Sequence, residues 1–243
     1  MITHFAKHAA PLAALSLGLT ACDYSINWSG VDGVAFSEFD QSGDAPGAIS
    51  MSGVDEVIIS DGESFSMTLE GDKGAQDALR FERSGDELRI GRDSGIYEGN
   101  GKAVVRITMP APSALSTSGT SSIQSEVMAR DAQIETSGAS SITIANLKSD
   151  TLDLDMSGAS KVTATGSVKR LMVDISGSGS ASMRKLLADD VRADLSGASS
   201  ITLSSNGSVE ADMSGASKFT VVGSAKCTGD TSGAASLDCG PAK

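Results

Sequence analysis

Apolar and polar residues alternate around a Ser-Gly pair that returns down the second half of the chain. The pair stands at Ser118-Gly119, Ser137-Gly138, Ser157-Gly158, Ser176-Gly177, Ser196-Gly197, Ser214-Gly215 and Ser232-Gly233. With each glycine as position zero, positions −6, −4 and −2 carry Leu152, Leu154, Met156; Leu171, Val173, Ile175; Val191, Ala193, Leu195; and Val209, Ala211, Met213. Positions +4 and +6 carry Ile142, Ile144; Val162, Ala164; Ala181, Met183; Ile201, Leu203; and Phe219, Val221. All share even parity, so a period of two runs from −6 to +6. That is a strand with one face inward. Odd positions are mostly Asp, Ser, Lys and Thr. The glycines step by 19, 20, 19, 20, 18 and 18 residues, the signature of a solenoid with one unit per repeat. The expected fold is all-β, a β-helix-like solenoid with Ser-Gly coils of about 19 residues.

Gly119, Gly138, Gly158, Gly177, Gly197, Gly215 and Gly233, with the small residue at +2, predict a structural corner. Two arms converge there and leave little room, and glycine permits unusual dihedrals. The stretch from +7 to −7 holds Gly166-Ser167, Asn206-Gly207 and Gly223-Ser224, which predict an irregular return turn. Ahead of the repeats, Val57-Ile58-Ile59, the alternating Phe65, Met67 and Leu69, and Val104 to Ile107 predict strands. Leu79 to Glu82 and Leu88 to Ile90 flank Ser84-Gly85-Asp86 as a hairpin. No amphipathic helix is expected beyond one turn near Gln76 to Leu79.

Residues 1–21 read as a targeting segment. Lys7 supplies a basic start, and Ala9 to Leu19 an apolar stretch too short to span a bilayer. Leu19-Thr20-Ala21-Cys22 resembles a bacterial lipobox, so Cys22 is the expected lipidation site and the membrane a partner through its acyl chains. Asp23 then leans towards retention at the inner membrane, on the periplasmic side. The expected division is a signal peptide over 1–21, a tether over 22–33 carrying Trp28, and one solenoid domain over 34–243. Within that domain, N-terminal strands fill 34–115 and Ser-Gly repeats 116–243.

Cys227 at −6 and Cys239 at +6 are symmetric about Gly233. Opposite each other across a bent coil, they predict a disulfide that ties the last repeat, as an oxidising compartment allows.

One order of elements carries a resemblance. Ile49-Ser50-Met51-Ser52-Gly53-Val54-Asp55-Glu56-Val57 leads to a strand ending at Asp61-Gly62. Then come Met67 to Gly71, Asp86 to Ile90, a strand closing on Met109-Pro110, and Leu115 to Gly119. This resembles the head GIN domain family of autotransporter adhesin heads. The resemblance runs from about Val34 to Ala235 and implies a β-helix-like envelope protein. The chain carries no region of alternating barrel strands after its repeats, as an autotransporter would.

Composition narrows the chemistry. The only histidines are His4 and His8, so a chain cleaved before Cys22 has none. A Ser-His triad, a Cys-His dyad and His-ligated zinc are excluded for it. Net charge is −12, and −13 without Lys7, which disfavours nucleic acid. Position −3 carries Glu135, Asp155, Asp174, Asp194, Asp212 and Asp230. Stacked coils would file these carboxylates ~5 Å apart, as a solvated face or, less in keeping with the sequence, a calcium column. Serine at −1 lacks a base, since Lys161 and Lys218 at +3 are charged when exposed. No cofactor is expected. The expected role is a non-catalytic binding or structural module, with adhesion as candidate activity and an envelope protein or glycan as partner. The alternatives are a polysaccharide-active β-helix enzyme and a calcium-stabilised scaffold; with Phe219 the only aromatic of the repeats, platforms for a sugar ring are scarce.

Overall fold

The computed structural model describes residues 31–93 and 99–240. The expected signal peptide, Cys22, Asp23 and Trp28 lie outside them. Strand makes up 63% of the described residues and helix 4%, in a β-solenoid of about seven coils with about 19 residues per turn.

The coils begin with β1 (Ala48–Met51) and β2 (Glu56–Asp61). An excursion follows: β3 (Ser66–Gly71), α1 (Lys73–Ala78), β4 (Leu79–Ser84), β5 (Glu87–Arg92) and β6 (Ala103–Met109). Stacking resumes with β7 (Ala114–Thr117), β8 (Ser122–Ser125) and β9 (Asp131–Thr136). Four long strands come next: β10 (Ser141–Gly158), β11 (Lys161–Gly177), β12 (Ser180–Leu195) and β13 (Ser200–Met213). β14 (Lys218–Val222) completes the penultimate coil, and β15 (Lys226–Thr228) and β16 (Ser236–Gly240) form the last.

Neighbouring coils pair in parallel, like residue on like residue. Leu152 faces Leu171, Asp155 faces Asp174, and Gly158 faces Gly177. Even positions on either side of the corner glycine therefore form buried columns such as Leu154, Val173, Ala193, Ala211. Aliphatic side chains of similar size stack in each column, which is why so few aromatics suffice.

The stretch from +7 to −7 departs from expectation. It is not an irregular turn but a third side of the coil, carried inside β10 to β13. In β12, Ala181 and Met183 point inward, then Leu186 and Ala188, then Val191, Ala193 and Leu195. Parity flips at two exposed pairs, Arg184-Lys185 and Asp189-Asp190. Two consecutive outward residues bend the strand without breaking its ladder, as bulges do, and the pairing register shifts there. We call the side before the Ser-Gly corner A, the side after it B, and the third C. Gly166, on side C, has φ +124°, and a Cβ on it would lie 2.1 Å from the Leu147 carbonyl oxygen. Its turn chemistry thus serves a close approach between coils.

The N-terminal end is capped. β5 pairs in parallel with β1, and β6 with β2, as a coil below the first corner. β4 then runs antiparallel to β5, and β3 antiparallel to β6. The predicted hairpin is therefore present. Asp72 caps α1 by accepting a 2.9 Å bond from the Ala75 amide, and the helix buries Ala75 and Ala78. Phe81 is buried, with Phe36 and Phe39 at ring-centroid distances of 5.4 and 5.8 Å. Val34 bridges to Phe81 across the outer edge of β4. Among the described residues the far end has no such cover: the terminal coil leaves Leu237 half-buried and Cys239 exposed.

Candidate functional surfaces

The corner glycines stack into one column, and the structure extends it. Gly53 sits directly below Gly119, whose following residue Thr120 donates its amide to the Gly53 carbonyl at 2.7 Å. Ser52-Gly53 is thus a further Ser-Gly corner. It stands 66 residues from the next, because β3 to β6 intervene, so a fixed-period search passes over it. The repeated Ile49-Ser50-Met51-Ser52-Gly53 parity was its available signal.

Interior crowding does not explain the glycine. Gly158, Gly177, Gly197 and Gly215 are exposed. They adopt φ values of +73°, +101°, +82° and +76°, and a Cβ on each would lie 2.4–2.8 Å from the carbonyl oxygen of the glycine one coil earlier. The inward small residue is the one at +2. Ser140 donates to the Ser137 carbonyl at 2.8 Å and accepts from Thr117 at 2.9 Å. Thr136 donates likewise to Ser160. The −1 serines lie outside this interior network. Ser157, Ser196, Ser214 and Ser232 each place their hydroxyl 3.5 Å from a carbonyl of the preceding coil.

In the first coil the +2 position is Asp55, buried to 1% exposure. Arg92 of β5 grips it with two 2.6 Å bonds, from Nε to Oδ2 and from Nη2 to Oδ1. The Ala103 amide donates to Oδ1 at 2.8 Å, and Arg92 Nη2 also donates to the Gly101 carbonyl at 2.7 Å. This buried pair locks the cap onto the first corner. Sequence reasoning missed it because the corner itself was not recognised.

The six predicted acids do line up on side A. Asp155 stands opposite Glu135 and Asp174, Asp174 opposite Asp194, and Asp194 opposite Asp212. The Asp230 amide lies 3.4 Å from Asp212 Oδ1. Ser116 continues the file below Glu135. Partial burial, then the charges of Asp174 and Asp153, raise the Asp155 carboxyl above the ordinary range. Asp174, Asp194, Asp212 and Asp230 border a shallow open groove beside the corner serines. Among the described residues, no group of three or more His, Cys, Asp or Glu is placed to hold a metal ion.

Side B presents hydroxyls instead. Its outward +5 column runs Thr143, Thr163, Ser182, Thr202, Thr220 in register. Its +3 column holds Ser141, Lys161, Ser180, Ser200 and Lys218, with Ser200 donating to Ser180 at 3.2 Å. Side C is mixed in charge. Asp150 takes Lys169 at 2.7 Å and Arg130 at 3.0 Å, which holds its carboxyl below the usual range. Cys227 and Cys239 form a disulfide with a Cα separation of 6.3 Å. They stand at the predicted −6 and +6 positions, above Val209 and Val221. The tie lies at the end of the stack rather than within a closed interior, because among the described residues nothing stacks on the last coil.

A parallel solenoid with a capped start, polar sides and a buried aliphatic interior defines a β-helical repeat protein. Residues 45–225 match the family described as "Putative auto-transporter adhesin, head GIN domain", and the chain belongs to that family. No curated protein matches the sequence. Among solved structures, a "putative adhesin" from Bacteroides fragilis NCTC 9343 is 17% identical, with a TM-score of 0.76 over 82% of this chain and 94% of that one. A "Putative lipid binding protein" from Parabacteroides distasonis ATCC 8503 is 16% identical, with a TM-score of 0.64 over 81% of this chain and 93% of that one. A "putative adhesin" from Parabacteroides merdae ATCC 43184 is 13% identical, with a TM-score of 0.62 over 81% and 92%. At these identities the likeness is one of fold.

Proposed function

We propose that the chain is a non-catalytic envelope lipoprotein, held by acyl chains on Cys22, whose solenoid binds a repetitive glycan. The observation that carries this is the in-register hydroxyl face of side B. Five successive coils, from Thr143 to Thr220, offer a hydroxyl at the same step of ~4.8 Å. A polymer with repeating units meets such a face through many equivalent contacts, and weak contacts sum when they are linked. Membership of a family described as adhesin heads supports an envelope role. The lipobox-like sequence supports the anchor.

The test is binding of the purified chain to immobilised envelope polysaccharides, beside the double variant Thr163→Asp, Thr202→Asp. Both positions are outward on side B, so the variant should keep its melting temperature and lose at least tenfold in binding. Wild-type protein that binds none of them, or a variant that binds equally, overturns the assignment. Release of reducing ends from a bound polysaccharide would overturn the non-catalytic reading. Labelled palmitate incorporated by the wild type and not by Cys22→Ser checks the anchor separately.

A further inference from the structure

The open end of the solenoid is built differently from the coil beneath it. The penultimate layer is apolar and buried: Val209, Ala211 and Met213 on side A, Phe219 and Val221 on side B. The terminal coil keeps that layer from solvent but brings little buried apolar surface of its own. Its corresponding residues are Cys227, Gly229, Thr231, Leu237 and Cys239, and none of these is buried. Its side A ladder is short. β15 pairs with β13 over Lys226–Thr228, and beyond it only Met213 and Thr231 form a bridge. The disulfide joins the start of side A to the end of side B across a sequence separation of 12. It therefore closes the coil into a ring, in place of the apolar contacts that hold the inner coils.

We propose that the terminal coil, residues 224–240, is a redox-latched lid over the apolar end of the solenoid. Cys239 is exposed and Cys227 half-buried, so an external thiol can reach the bond. A dithiol reductant of the envelope attacks as its thiolate at the exposed Cys239 sulfur. The sulfur–sulfur bond breaks and Cys227 leaves as a thiolate, which takes a proton. The reductant's second thiol then displaces Cys239 from the mixed disulfide, giving two protein thiols and an oxidised reductant. With the ring opened, the coil regains the chain freedom that the cross-link had removed. Its few apolar contacts do not hold it, and Met213, Phe219 and Val221 become accessible to solvent. The inner coils, β14 included, keep their buried columns and their paired ladders, so opening stops before residue 224. Repeat proteins permit this, since each unit contacts only its neighbours.

The experiment is hydrogen exchange of the purified chain, oxidised and after treatment with a dithiol, with alkylation to count free thiols. The expected result is a roughly hundredfold loss of protection confined to 224–240, the scale set by closing a loop of this size. Binding of an apolar dye should rise in parallel. The variant Cys227→Ser, Cys239→Ser should match the reduced protein and not respond to the dithiol. Thiols formed without a change in protection would overturn the latch. Protection lost along the whole chain would make the disulfide a global staple and overturn the lid. Failure of the dithiol to produce thiols in the folded protein would overturn the access on which the device depends.

Discussion

At the corner, two constraints fall on one residue. Gly197 has φ +82°, a region that side chains rarely adopt, and a Cβ there would come within 2.4 Å of the Gly177 carbonyl oxygen. Neither side can yield, since the opposing atom is backbone already bonded to Ala198. Gly197→Val should therefore cost about 3 kcal/mol or more. Ser196→Ala, one residue away, removes only a 3.5 Å contact at an exposed hydroxyl and should stay within about 0.5 kcal/mol. Denaturant midpoints of the two variants decide this, and comparable losses would contradict the stacking account. Asp55 makes the opposite case, a buried charge held by its partner. Asp55→Ala would remove the buried carboxylate that accepts from Arg92 and from the Ala103 amide. Breaking such a pair costs about 3–5 kcal/mol. Unfolding in urea should show this as a lower midpoint, and a loss below about 1 kcal/mol would mean that the pair only tolerates its burial.

Along one side of the solenoid, period-two alternation made sides A and B legible, because every repeat kept the same parity. It also placed the acidic file and the cysteines. Side C was not legible, although Leu147 with Ser149, and Leu186 with Ala188, carry the inward pattern. Each pair is offset by an exposed doublet, and an alternation of only two inward residues is too short to stand apart from a turn. The cap was half legible. Its strands follow from alternation, but their antiparallel docking and the Gly53 corner depend on contacts between distant segments. For the acidic file, stacking has a measurable consequence at Asp155. Its carboxyl titrates above the ordinary range, first through partial burial and then through Asp174 and Asp153. A folded-state pKa above the unfolded one means that ionisation weakens the native state. Stability from this group rises as pH falls through the folded pKa and levels off below the unfolded value of about 3.9. Asp155→Asn should thus raise the melting temperature at pH 7 by about 1–3 °C. The gain should shrink as pH approaches about 4. A difference that stays constant across this window would assign the effect to packing rather than charge.

For the molecule as a whole, excess negative charge opposes the regularity that builds the fold. Parallel in-register stacking brings like residues together, so an acid that recurs in the sequence must recur in space. Two neighbouring carboxylates ~4.8 Å apart repel by roughly 0.9 kcal/mol in water before screening. The five steps of the file from Glu135 to Asp230 add up against a net charge of −12. Surface pairs offset this locally, such as Arg192 with Glu210 at 3.6 Å and Lys169 with Asp150, but each contributes little. Burial of the aliphatic columns outweighs the repulsion, and the file stays affordable because water surrounds it. Monovalent salt should therefore stabilise the chain. Between about 0.02 and 0.5 M, the screening length falls from roughly 20 Å to below the spacing of the file, and the melting temperature should climb smoothly. Calcium distinguishes screening from a site. At matched ionic strength, a solvated file gives the same melting temperature in calcium as in sodium, and a chelator changes nothing. A true calcium column would add a term growing with the logarithm of calcium concentration above its dissociation constant. It would also abolish the benefit of Asp155→Asn, because the carboxylate would then be a ligand rather than a repelled neighbour.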